Sequence, residues 1–156
     1  MYERPTPPIG PILILDDLDG ATCRLSALFI VSKGGTVPPI DCEGQVFAPA
    51  LLTEYADHSV HRIRFTAPAD RPCTYRWGSH DFPLASDFRQ DLRIAFASCN
   101  GEEHGDLARD GDERNAMWAR LAAQHREAPF SLLLHGGDQI YADEATKGHP
   151  LSEDWP

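Results

Sequence analysis

Cys99, Asp138 and Tyr141 are the residues of this sequence whose types and positions point to shared chemistry. Cys99 lies in FASCNG (residues 96–101), and the other two lie in LLLHGGDQIYADE (residues 132–144). Each stretch is a short apolar run ending in small residues, the pattern of a buried strand that delivers polar groups at its tip. Gly136 and Gly137 let the backbone turn sharply and leave room for a close approach. Tyr141 follows Asp138 by three positions, about one helical turn, so its oxygen can swing to the same point. A thiolate, a carboxylate and a phenolate around one point form a ligand set for a hard or borderline trivalent cation such as Fe3+. The carboxylate can also bridge to a second cation, which offsets local negative charge.

The elements that must position these groups follow from the same region. LRIAFASC (92–99) reads as one buried strand and FSLLLHG (130–136) as another. Between them runs a polar acidic loop, NGEEHGDLARDGD, and then ERNAMWARLAAQHREA (113–128), rich in strong helix formers. Met117, Leu121 and His125 recur at four-residue spacing, with Asp112 as N-cap and Pro129 as stop. Strand, helix, strand predicts a βαβ unit with its two strands parallel in one sheet. In such a sheet functional groups collect beyond the carboxyl ends of the strands, where Cys99 and Asp138 fall. One such unit cannot cover both faces of its sheet, so the expectation is a second domain, residues 89–156, that is incomplete without further protein.

Residues 1–88 have a different character. PILILDD, TCRLSALFIVS, HSVHRIRFTA and CTYRWGS are extended segments separated by Gly- and Pro-rich punctuation such as KGG, TVPPI and APADRP. In the third of these Val60, Ile63 and Phe65 alternate with polar neighbours. Strands at this spacing predict a small antiparallel β-sandwich of immunoglobulin or fibronectin type. The fold class expected for the whole is therefore mixed α+β, a sandwich followed by the first βαβ unit of an α/β domain.

Composition narrows the partners. The 156 residues carry 24 acids against 14 bases, a formal charge of −10, and 42% are hydrophobic, enough for a packed core. Residues 91–156 hold 13 acids and 6 bases, net −7; residues 1–90 hold 11 and 8, net −3. That field repels nucleic acid and anionic membranes, and repels phosphate esters too unless bound cations reverse it locally. No apolar run approaches the roughly 18 residues of a membrane span. MYERPTPPIGPILIL lacks the basic start of a signal peptide, which reads as a cytoplasmic chain or one already trimmed for export. The four cysteines have no CxxC spacing, and pairing among Cys23, Cys42 and Cys73 stays open.

Each candidate also has an ordinary reading. A lone buried cysteine is usually a small hydrophobe, an aspartate after Gly-Gly a turn former or cap, and a tyrosine a packing residue. Asn100, next to Cys99, can offer its amide to phosphate or to a water beside the metal. His135, ending the second strand, reads as a packed or hydrogen-bonded neighbour that orients the site and can reach substrate. His104 reads as a solvated loop residue, and Asp143 and Glu144 as a charged loop edge with some capacity for calcium. Trp77 and Trp118 read as core or interface aromatics. EEHGDLARDGDE lacks the alternating acids and the final glutamate of an EF-hand loop.

FASCNG and LLLHGGDQIYADE together resemble the first two motifs of the PhoD-like alkaline phosphatases, a branch of the calcineurin-like metallophosphatase superfamily. In that family a β-sandwich precedes the catalytic α/β domain. The resemblance implies that Cys99 and Tyr141 ligate Fe3+ and that Asp138 bridges it to Ca2+, with other divalent metals such as manganese or zinc as variants. It implies hydrolysis of a phosphate ester, mono- or diester, by metal-activated water. The family's later motifs, an Asn-His pair and histidine and carboxylate ligands, have no counterpart here, so the remainder of the catalytic domain is required and the isolated chain is expected to be inactive. The rival expectation is a non-catalytic binding or assembly module whose second half docks onto a partner chain.

Overall fold

The computed structural model describes residues 8–99, 110, 113 and 116–137. The chain divides into two compact units, Met1–Asp91 and Leu92–Pro156. The described part is β-rich, with antiparallel sheets in the first unit and one helix in the second.

Among the described residues the first unit holds eight strands: β1 (Ile9–Asp19), β2 (Thr22–Ser32), β3 (Ile40–Cys42), β4 (Gln45–Phe47), β5 (Ala50–Tyr55), β6 (His58–Pro68), β7 (Cys73–Trp77) and β8 (His80–Leu84). They form two four-stranded sheets, in the orders β1-β2-β6-β5 and β4-β3-β7-β8. Tight hairpins set the register. Asp19 faces Thr22 across Gly20 and Ala21, and Gly20 takes a φ of +61°, which glycine adopts without steric penalty.

Two-residue alternation then builds the core. β2 turns Cys23, Leu25, Ala27, Phe29 and Val31 inward, and β6 adds Ile63, Phe65 and Ala67. Val60, grouped with Ile63 and Phe65 in the sequence reading, has the opposite parity and pairs with Ile30, while Ser59 takes the buried position. From the second sheet come Ile40, Cys42 and Tyr75. Aromatic rings join the layers: Phe29 stacks on Trp77 at 4.7 Å and Tyr75 lies 5.3 Å from Phe65, while Phe82 stacks on Tyr75 within its own sheet at 5.1 Å. Trp77 also donates Nε1–H to the Pro38 carbonyl at 3.0 Å. The buried hydroxyls are satisfied, Ser26 by Asp16 at 2.6 Å and Ser86 by the Arg71 carbonyl at 2.8 Å.

In the second unit, β9 (Ile94–Ala97) pairs in parallel with β10 (Leu132–His135), and α1 (Ala116–Glu127) lies between them in the chain. The helix ends at Glu127, two residues before Pro129, which cannot continue it. His125 Nδ1 accepts the Phe130 N–H at 3.1 Å, and Arg93 sits 4.4 Å over the Phe130 ring.

Two expectations for this unit change. The strands read as buried, yet Phe96 is 70% exposed and Ile94, Leu133 and Leu134 are exposed as well, leaving Ala95 as the buried residue. Two strands give one apolar surface on each face, and little of the described chain covers either. The helical stripe also shifts: Met117 and His125 are exposed, and the half-buried positions are Trp118 and Leu121. Trp118 displaces Met117 because its ring stacks on His135 at 6.0 Å. Asp112 lies outside the described residues. No described helix is long and apolar enough to cross a membrane.

Candidate functional site

The site grows from the ends of β9 and β10. Their parallel register runs Ile94 to Leu132 through Ala97 to His135, and the ladder continues beyond the strands. Gly136 donates to the Ala97 carbonyl at 2.8 Å, and Cys99 donates its N–H to the Gly137 carbonyl at 2.9 Å. The thiol-bearing residue and the residue just before Asp138 are thus joined at one edge of the sheet.

The local backbone is unusual in ways that follow from this junction. Cys99 has a φ of +64°, in the left-handed region that a side chain with a Cβ enters at roughly 1–2 kcal/mol. Strain of this kind persists where surrounding bonds over-determine it, and it clusters at functional sites. Here the bond to Gly137 holds the residue while its side chain is exposed, with Ser98 Oγ 3.5 Å from Cys99 Sγ. Gly137 has a φ of +119°. At Gly136 a Cβ would meet the Phe96 ring at 2.4 Å, so the Phe96 side chain lies against the glycine backbone.

His135 is exposed and stacks on Trp118, which ties α1 to the end of β10. It neighbours the junction in sequence, one residue before Gly136. Asn100, Asp138, Tyr141, His104, Asp143 and Glu144 lie outside the described residues. Among the described residues no group of three or more His, Cys, Asp or Glu side chains is arranged to hold a metal ion; two of the three expected ligands are not in that set. Sequence reasoning passed over Ser98 and Phe96. The signal for Ser98 was its place beside Cys99; Phe96 carried no signal beyond the apolar run.

The packing of Phe96 on Gly136 yields a test. Gly136→Ala should cost the second unit less than about 1 kcal/mol, because the 70% exposed Phe96 ring must swing aside to admit the new methyl group but has room to do so. In a Phe96→Ala background the same change should lose most of that penalty, a coupling that a double-mutant cycle reads directly. Equal penalties in both backgrounds would show that the ring does not determine the glycine.

Compared with known proteins, the chain matches no family model, no curated protein and no solved structure.

Proposed function

We propose that this chain supplies the β-sandwich and the opening of the catalytic domain of a metal-dependent phosphoester hydrolase of the PhoD-like kind. The observation that carries the reading is the Cys99 N–H bonded to the Gly137 carbonyl at 2.9 Å. It brings Cys99 and Gly137, 38 residues apart in sequence, to one end of the sheet, and in this reading a thiolate from Cys99 meets oxygens from Asp138 and Tyr141 there. That set suits Fe3+, with Asp138 shared by Ca2+ in the second position. Bound cations would also reverse the acidic field that repels phosphate esters, activate water and neutralise phosphate oxygens. Asn100 and His135 are the neighbours best placed to orient substrate or water.

Two further observations support it. The strand orders β1-β2-β6-β5 and β4-β3-β7-β8 correspond to A-B-E-D and C′-C-F-G of immunoglobulin-type sandwiches, the module expected before the catalytic domain. The exposed Ile94, Phe96, Leu133 and Leu134 need cover, as expected of a parallel sheet completed by further protein. The same exposed residues favour a second reading, a non-catalytic module whose second half docks on a partner chain.

Metal binding separates the two. The full chain incubated with Fe3+ should take up iron and show a visible ligand-to-metal charge-transfer band. Cys99→Ala should weaken iron binding by at least ~100-fold, since changes around a ligand alone cost about 10- to 100-fold. Asp138→Asn and Tyr141→Phe should weaken it too, the latter with a shift of the band. If Cys99→Ala and Asp138→Asn both bind iron as the parent does, the phosphoesterase reading fails.

A further inference from the structure

Three of the four cysteines lie in the sandwich, and none of them belongs to the site above. Cys23 on β2 is 0% exposed, Cys42 at the end of β3 is 1% exposed, and Cys73 at the start of β7 is half-buried. All three are free thiols. They differ in what they touch. Cys23 belongs to the other sheet and points its Sγ at the Ala67 and Pro68 carbonyls, at 3.4 and 3.7 Å. Cys42 pairs with Tyr75 across the β3–β7 ladder. Because side chains alternate along a strand, Cys73, two residues before Tyr75, shares the inner face with Cys42 as its diagonal neighbour. Burial and then the neighbouring Cys73 raise the Cys42 thiol above its ordinary value, and Ser86 Oγ lies 3.7 Å from Cys73 Sγ.

We propose that Cys42 and Cys73 are an oxidisable dithiol that closes to an intrachain disulfide stapling β3 to β7 when the protein meets a low-molecular-weight disulfide. Cys73 is the entry point because it alone of the three is accessible. Its thiolate attacks one sulfur of the oxidant RSSR, the S–S bond breaks, and RS− departs to take up a proton. This leaves Cys73 as a mixed disulfide with R. Cys42 then loses its proton to solvent and attacks the Cys73 sulfur, expelling the second RS−. The protein gives up two hydrogens and two electrons, and the oxidant leaves as two RSH. Diagonal partners sit about 7–8 Å apart at Cα, against the roughly 4.4–6.8 Å of a disulfide, so closure must draw the strands together. Both residues end their strands, Cys42 just before the Glu43-Gly44 turn and Cys73 just after Pro72. Burial, with Cys73 beside it, pushes the Cys42 thiol up to about 12. The closing step is therefore slower than the capping step.

The test is oxidation of the full native chain with excess oxidised glutathione, sampled over a day and quenched in denaturant with N-ethylmaleimide. Tryptic peptides 34–62 and 65–76 each contain one of the two cysteines, while Cys23 falls in 1–24 and Cys99 in 94–109. We expect glutathione on 65–76 first, then 34–62 linked to 65–76, with a rise in the first unit's melting midpoint of roughly 5–10 °C. In Cys42→Ala the glutathione should stay on 65–76, and in Cys73→Ala no link should form. The proposal is overturned if 34–62 and 65–76 remain unlinked after a day in the parent, or if 65–76 links to 1–24 instead. Peptide mapping of the parent decides the matter even if neither variant folds.

Discussion

Truncating Phe29 to alanine should remove a large part of the stability of the sandwich, about 3–5 kcal/mol. The ring is completely buried on β2 and stacks on Trp77 at 4.7 Å and 27°, so it spans the space between the two sheets. Deleting it loses the transfer free energy of the aromatic and leaves a cavity that β strands, held by their ladders, cannot collapse to fill. For a unit of this size the whole margin is roughly 5–15 kcal/mol, and a loss of this order lowers the melting midpoint by more than ~10 °C. Hydrogen exchange of the β2 and β6 amides reports the first unit without interference from the second. Leu51→Ala is the control: Leu51 is 55% exposed on an edge strand, and its truncation should change stability by less than about 0.5 kcal/mol. Comparable effects of the two substitutions would show that the sheets are not joined through Phe29.

How far the architecture can be read from the residues depends on the length of each pattern. TCRLSALFIVS, eleven residues rich in apolar and β-branched types, is β2 from end to end, and HSVHRIRFTA is β6 but for its last residue, Pro68. The strands β3 and β4 carry three residues each, too few to show any period, and they form because Glu43 and Gly44 make a turn with φ of +53° and +78°. Val60 is apolar like Ile63 and Phe65, but parity along β6 puts it on the other face, and Ser59 is buried instead, its hydroxyl donating to Glu54 at 3.2 Å. In the second unit the apolar runs marked the strand positions, but their burial was not legible, since it depends on what covers the sheet. Trp118 gave no periodic signal for its contact with His135, because that contact joins helix to strand end across sequence. The junction of Cys99 with Gly137 could be anticipated only conditionally: it required β9 and β10 to be neighbours, and their parallel pairing supplies that condition.

Alkali should unfold the sandwich through two residues whose protons are retained only in the folded state. Burial first, then the neighbouring Cys73, Glu43 and Cys23, push the Cys42 thiol from an ordinary 9 up to about 12. Burial alone pushes the Tyr75 phenol from 10 up to about 12. Burial also raises Cys23. Each is an acid whose charged form is disfavoured by the folded interior. As pH rises above 9 the unfolded chain gives up the thiol proton, and above 10 the phenol proton, while the folded chain keeps both. The unfolded state then binds fewer protons, so stability falls with pH. The contribution is complete below pH 9 and is lost progressively towards pH 12. Both groups together represent a few kcal/mol, at about 1.4 kcal/mol per pKa unit. Tyr75→Phe keeps the ring beside Phe65 and Phe82 but removes its titration, and Cys42→Ala does the same for the thiol. Urea unfolding at pH 8, 9.5 and 11 should therefore show a shallower decline in each variant than in the parent, and the shallowest in the double variant. If all four proteins lose stability in parallel over that range, neither group retains its proton on folding, and the closed inner face that Cys42 and Tyr75 share would have to be open to water.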